Sequence, residues 1–328
     1  ACASLYFFDA DHLGIGIAGA FLASVGFAGS LVFYNAFLPE VAPPAMYDRL
    51  SAKGYSMGYI GSVVLLILCI VMIQMPETFG FDGALSAMRF SFLLVAIWWL
   101  GFSQITLRIV PEKRRHDKGW GDMVKNGIQE LGKVWVQLKE LPTTKRFLGA
   151  FFFISMGVQT IVYMAGIYAK TELGFEAGEL ITIILLIQIV AAGGAFAFSR
   201  LSERIGNIKT MLIQTGIWVF ICLLAFLVTK DTASLFYVVA FLVGLVLGGV
   251  QSLARATYSK LLPATEDHAS FFSFYEITEK VGITLGTLGF GLVTDLIELR
   301  YAPLLLMVFF IVALPILNSI KKVPNKGV

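Results

Sequence analysis

The chain has 328 residues, a formal net charge of +3, 57% hydrophobic residues and 14% charged ones, with a mean hydropathy of +0.80. Soluble domains carry about 25% charge, so an ordinary soluble fold is excluded and a membrane protein is indicated. The apolar stretches are continuous rather than alternating, which selects helices over a β-barrel.

In chain order, Ala1–Phe8 is apolar but too short to span, and is expected to be the outer end of a truncated helix. Three runs follow, Leu13–Tyr34, Ser56–Met75 and Ala87–Ile109. Each is about twenty residues, the length a helix needs to cross the hydrocarbon core. The first contains Gly14-x-Gly16-x-x-Gly19, but no strand precedes it, so nucleotide binding is not indicated. Close helix packing through Gly19, Ala23, Gly26 and Ser30 is the expectation.

The long connection Val110–Arg146 comes next. In it Trp120, Val124, Ile128, Leu131, Trp135 and Leu138 recur at steps of three and four, one face of a helix. Lys125, Lys133 and Lys139 interleave. An amphipathic helix on the anionic inner leaflet is predicted; a plain linker helix fits the same pattern, and a partner-protein site is a further alternative. Six further runs complete the chain: Phe147–Tyr168, Glu179–Ser199, Lys209–Val228, Ser234–Leu253, Phe271–Leu292 and Tyr301–Ile320.

Charge gives an orientation. With the long connection placed in the cytoplasm, twenty of the 25 Lys and Arg residues fall on that side. They include Lys113, Arg114, Arg115, Lys118, Lys321, Lys322 and Lys326. Arg89, Lys170, Lys230 and Arg300 fall outside, and Lys280 lies within a span. This is the positive-inside pattern. Cys2, Cys69 and Cys222 sit in apolar segments without paired spacing, and His12, His116 and His268 sit in loops, so none is assigned chemistry.

The run Phe271–Leu292 carries Glu276, Glu279 and Lys280 near its inner end. Charges in a span are costly and mark function. Glu276 and Lys280 are i, i+4 neighbours and are expected to pair. Glu279 then lacks a partner in its own helix. Either it reaches a cation elsewhere, such as Arg255, or it carries a proton. Gate or structural ion pair, and proton coupling or substrate contact, are both open readings. Gly282, Gly286 and Gly289 form a separate stripe suited to packing.

The segment Ser199-Arg200-Leu201-Ser202-Glu203-Arg204-Ile205-Gly206-Asn207-Ile208-Lys209 resembles the loop signature of the major facilitator superfamily, departing from it at Ser199. The resemblance implies a conformational latch at Glu203 and Arg204, with Gly206 in the tight turn. Further matches are Gly248-Gly249-Val250-Gln251-Ser252-Leu253-Ala254-Arg255, Leu261-Leu262-Pro263, Phe271-Phe272-Ser273-Phe274-Tyr275, Phe33–Glu40, Gly54–Gly61 and Gly157–Thr160. Together these look like the vacuole effluxer-like (autophagy-related) family of that superfamily, over most of the chain.

The resemblance implies an all-α polytopic protein with about nine of twelve transmembrane helices present, truncated at its amino terminus. Residues 1–109 would be a partial amino-terminal bundle holding the end of helix 3 and helices 4–6. Residues 110–146 would be a cytoplasmic linker, and 147–328 a six-helix carboxy-terminal bundle. Cavity-lining helices in this superfamily select Gln159 and Gln251 as candidate solute contacts, with a hydrogen bond to a neighbouring helix as the alternative. Asn35, at the inner end of its helix, is a gate or turn candidate.

The expectation is a secondary active transporter exporting a small solute, amino acids being the eukaryotic precedent, by alternating access. Drugs, sugars or nucleosides are rival solute classes. A membrane-embedded lipid-modifying enzyme is a further rival, but no acid/base or metal cluster appears for it, so the chain is not read as an enzyme. No cofactor, metal or nucleic-acid partner is expected, and no Walker lysine is present. The expected setting is a monomer in the lipid bilayer, using a proton or other ion. In a bacterium this is the inner membrane, and in a eukaryote the vacuolar membrane.

Overall fold

A computed structural model describes residues 1–8, 13–109, 120–265 and 267–320. The basic residues expected at 113–118 and 321–326 lie outside the described residues, as do His12, His116 and the side chains of Trp120, Val124, Lys125 and Ile128. Every described element is helical: α1 (Leu13–Ala36), α2 (Leu38–Val41), α3 (Tyr47–Gln74), α4 (Ala84–Ile109), α5 (Trp120–Lys139), α6 (Pro142–Leu173), α7 (Ala177–Ile205), α8 (Asn207–Leu227), α9 (Phe236–Leu261), α10 (His268–Leu296) and α11 (Ala302–Asn318). Short 3-10 turns join several of them.

Eight helical segments among the described residues are long and apolar enough to cross a membrane. The ninth expected span, α10, has 29 residues but is not among the eight; Glu276, Glu279 and Lys280 lower its apolarity. Most helices outrun their apolar stretches, because hydropathy marks only the part in hydrocarbon. α6 starts at Pro142 rather than Phe147. Proline is suited to a first turn, where its missing N–H has no partner to lose, and Lys145 and Arg146 carry that turn toward water. Ala1–Phe8, expected as the end of an α-helix, is a 3-10 turn over Cys2–Phe7.

Close contacts divide the chain into two units. The first holds residues 1–31 and 61–128. In it the Cys2–Phe7 turn packs on α4, and Phe27 meets Trp99 edge-on at 6.0 Å. A Cβ on Gly19 would sit 2.8 Å from Ser4 Oγ, so this glycine does serve close packing, whereas Gly26 has nothing within 4 Å.

The second unit holds residues 32–60 and 129–328. Its six long helices α6–α11 surround a core that includes Phe147, Trp218, Tyr258, Phe271 and Phe310. α7 and α9 approach most closely. A Cβ on Gly194 would lie 2.1 Å from the Leu245 carbonyl oxygen, and one on Gly248 would lie 2.1 Å from that of Ala191. The backbones therefore touch through two reciprocal glycines, the small-residue packing that replaces the hydrophobic effect in lipid. Gly282 and Gly286 likewise set α10 against the backbone of α6.

Gly248→Ala should accordingly lower the thermal midpoint in detergent, since forced overpacking costs about 1–3 kcal/mol. Gly166→Ala, with nothing within 4 Å, should leave that midpoint in place.

The second half of α5 belongs to this unit. Val134 and Leu138 are buried in the protein core, so Leu138 faces protein rather than the leaflet expected for it. Trp135 is exposed and stacks on Phe274 of α10 at 5.9 Å.

Candidate functional site

Many of the buried polar side chains of the second unit gather where α1 and α9 end and α3 and α8 begin. The chain leaves α1 at Ala36, crosses α2 and the Ala42-Pro43-Pro44 turn, and enters α3 with Asp48 in its first turn. An acid is favoured there by the helix dipole, as is Lys260 in the last turn of α9. Gly206 has φ 89°, a backbone conformation natural to glycine. It ends α7 and starts α8 at once, which brings Ser202 and Asn207 together.

These residues close on Asp48. Lys260 Nζ donates to Asp48 Oδ2 at 2.7 Å. Asn207 Nδ2 donates to Asp48 Oδ1 at 2.8 Å, and Ser202 Oγ lies 3.0 Å from Oδ2. Asn207 Oδ1 accepts from Lys260 at 3.1 Å. Asp48 is 5% exposed, so this is a largely desolvated ion pair with its remaining lone pairs satisfied.

One turn inward, Arg255 is 3% exposed. Its Nε donates to Ser51 Oγ at 2.9 Å, its Nη2 to the Ser51 carbonyl at 3.1 Å, and its Nη1 to Asn35 Oδ1 at 3.4 Å. The guanidinium lies 4.7 Å from the Tyr34 ring centre and 4.8 Å from that of Tyr55, the geometry of a cation–π contact. A small apolar cluster of Leu38, Tyr47 and Ala256 flanks these contacts.

Deeper still lies the α10 charge cluster. Asn35 Nδ2 donates to Glu276 Oε1 at 2.7 Å. Lys280 Nζ is 3.6 Å from Glu276 Oε2 and 3.8 Å from Glu279 Oε1. Gln159 Nε2 donates to Glu279 Oε1, and Tyr59 OH to Gln251 Oε1.

Several sequence expectations change here. Glu276 and Lys280 do approach each other. Glu279, expected to lack a partner in its own helix, shares Lys280. It bonds Gln159 of α6, and Arg255 is engaged by Ser51 and Asn35 instead. Gln159 and Gln251, candidate solute contacts with a hydrogen bond to a neighbouring helix as the alternative, both hold such hydrogen bonds. Glu203 and Arg204 are exposed, and among the described residues neither side chain has a hydrogen-bond or ion-pair partner; Ser202 and Asn207 of the same loop make the contact. His268, expected in a loop, opens α10 with Nδ1 3.8 Å from Glu40 Oε1.

Sequence reasoning missed Asp48, Ser51, Tyr55, Asn207 and Lys260. For Asp48 the available signal was an acid in the first turn of a helix, and for Asn207 its place in the Ser199–Lys209 segment.

The helices are those of a multi-pass membrane protein with the major facilitator fold. In fold, the chain is similar to the Escherichia coli fucose:proton symporter FucP, with TM-score 0.66 at 16% identity over 98% of this chain and 81% of that one. It is also similar to a bacterial homologue of the iron transporter ferroportin, with TM-score 0.55 at 13% identity over 86% and 65%.

Residues 43–325 match the family described as vacuole effluxer Atg22 like, and the chain belongs to that family. It is 31% identical to the MFS-type transporter YxiO of Bacillus subtilis over 96% of this chain and 73% of that relative. Against autophagy-related protein 22-1 of Penicillium rubens it is 29% identical over 82% and 48%. Against autophagy-related protein 22 of Cryptococcus neoformans var. neoformans it is 29% identical over 83% and 52%. The chain thus spans about three quarters of the bacterial relative and about half of the fungal ones.

Proposed function

We propose that the protein is a secondary active transporter that exports a small solute, with amino acids as the solute class, by alternating access. The observation that carries this is the Glu276–Lys280–Glu279 cluster, with Glu276 buried, joined through Asn35 to Arg255. One side chain thereby links charges within the span to the contacts that close the basic end of the helices.

Two acids and one ammonium suit a zwitterion. Lys280 would take a carboxylate, and Glu279 with Gln159 an ammonium. When all three charges are present the cluster keeps one excess negative charge, which a proton would neutralise, so proton coupling is part of the reading. Asp48, Lys260, Asn207 and Ser202 would form the cytoplasmic latch. Its opening requires a solute or proton that binds the two states unequally. The cytoplasmic assignment of that end follows from the positive-inside pattern. The proposed setting is the inner membrane of a bacterium or the vacuolar membrane of a eukaryote, with the protein acting as a monomer.

The test is counterflow and gradient-driven flux by the intact protein in proteoliposomes, against amino acids, dipeptides, sugars and nucleosides. The expected result is saturable flux of one or more amino acids, accelerated by an imposed pH gradient. Flux confined to sugars or nucleosides would overturn the solute class, and flux indifferent to the gradient would overturn proton coupling.

A further inference from the structure

We infer that Asn35 transmits the charge state of the Glu276–Lys280–Glu279 cluster to the cytoplasmic closure at Arg255, as a positioning residue for the transport cycle. The inference rests on the transport reading above and adds the route by which charge controls the gate.

Asn35 is 2% exposed, and both ends of its amide are engaged. The amino end faces the Glu276 carboxylate at 2.7 Å, and the carbonyl end faces the Arg255 guanidinium at 3.4 Å. The amide dipole is therefore aligned between an anion and a cation, an arrangement in which each bond polarises the other. Among the described residues no carboxylate pairs with Arg255 directly. Its route to negative charge runs through Asn35.

The site is also packed without slack. A Cβ on Gly54 would meet Tyr34 Oη at 2.6 Å and Arg255 Nη2 at 3.2 Å, so the Tyr34–Arg255 contact depends on a bare backbone there. Asn35 stands at the end of α1 while Glu276 is on α10 and Arg255 on α9. One side chain consequently ties three helices.

The second oxygen of Glu276 makes the device responsive. Oε2 is buried and has no hydrogen-bond partner; Lys280 stands off at 3.6 Å. The charged and titratable groups around Glu276 are Glu279 and Lys280 on its own helix, Tyr275 beside it, Tyr55 from α3 and, through Asn35, Arg255 from α9. α6 supplies the uncharged Gln159.

A proton from the aqueous phase that adds to Oε2 forms one O–H bond and removes one negative charge. The bond from Asn35 then loses its ionic partner, and hydrogen bonds to ionised groups are roughly twice as strong as neutral ones. The amide's hold on Arg255 weakens with it, and the closure is favoured less.

The test uses the intact protein in proteoliposomes, with Cys2→Ala, Cys69→Ala and Cys222→Ala as background. The reporter is Ala256→Cys, a position fully buried in the apolar cluster at the closure. A membrane-impermeant maleimide added from the cytoplasmic face reads gate opening. Labelling should accelerate on going from neutral to acid pH by about ten- to a hundredfold, the span of one hydrogen bond to a charged group. Asn35→Ala and Glu276→Gln should each label fast at both pH values.

Asp48→Asn, which loosens the separate latch, should raise labelling yet keep its pH dependence. A merely structural role for Asn35 would give that same pattern in Asn35→Ala and would overturn the inference, as would labelling of the parent that ignores pH. Solute counterflow in the same vesicles separates the two readings. Counterflow with pH-flat labelling refutes the Asn35 route alone, whereas pH-dependent labelling with no counterflow of any solute refutes the transport reading.

Discussion

Asp48→Asn will leave the protein folded but with its cytoplasmic end open far more of the time. The carboxylate accepts from Lys260 at 2.7 Å and from Asn207 at 2.8 Å, with Ser202 Oγ at 3.0 Å. All of these bring α3 together with the ends of α7, α8 and α9. Removing one partner of a buried pair costs about 3–5 kcal/mol, because the other charge stays desolvated and unpaired. That cost falls on the closed state alone, since in the open state Lys260 meets water. About 3 kcal/mol corresponds to a shift of on the order of a hundredfold in the closed-to-open ratio.

Labelling of Ala256→Cys should rise accordingly, and gradient-driven flux should fall because one state becomes scarce. Lys260→Met should act in the same direction. The double substitution should be milder than the two effects added, since the single changes each strand a charge that the pair removes together. Strict additivity, or no change in labelling, would remove Asp48 from the latch.

The sequence revealed the spans far better than the latch, for physical reasons. A helix in hydrocarbon must be apolar for about twenty residues whatever it packs against, so each span is written locally. A contact between distant helix ends is written nowhere locally. Asp48 and Lys260 are 212 residues apart, and each looks like an ordinary polar residue at a helix end. The loop at Ser199–Lys209, singled out by its resemblance for Glu203 and Arg204, meets Asp48 through Ser202 and Asn207 instead. The turn at Gly206 fixes which side chains face inward, and it selects Ser202 and Asn207. In α10 the i, i+4 spacing did place Glu276 beside Lys280. It could not show that Lys280 also stands near Glu279, nor that Gln159 and Asn35 reach across from other helices. α5 is a similar case. Its apolar period was legible, but whether lipid or protein covers a face depends on what lies beside it, and Val134 and Leu138 are covered by protein.

Glu279→Gln should abolish gradient-driven accumulation while sparing counterflow. Glutamine has nearly the same size and keeps an oxygen to accept from Gln159, so the α6–α10 contact survives. What is lost is the second negative charge, the excess that draws a proton onto Glu276. Lys280, now 3.6 Å from Glu276 Oε2 and 3.8 Å from Glu279 Oε1, is left with one anionic partner. The cluster becomes neutral without a proton. A cluster that is neutral in both halves of the cycle gives the gradient nothing to act on, because only a ligand that binds two states unequally shifts their balance. Exchange of solute for solute needs no proton and should stay within about threefold of the parent, a barrier change of less than about 1 kcal/mol. Gln159→Leu separates the roles further. It removes the hydrogen bond to Glu279 but leaves both acids, so it should weaken solute binding while gradient dependence persists. Driven accumulation that survives Glu279→Gln would reduce Glu279 to a helix-packing role and leave proton coupling to Glu276 alone.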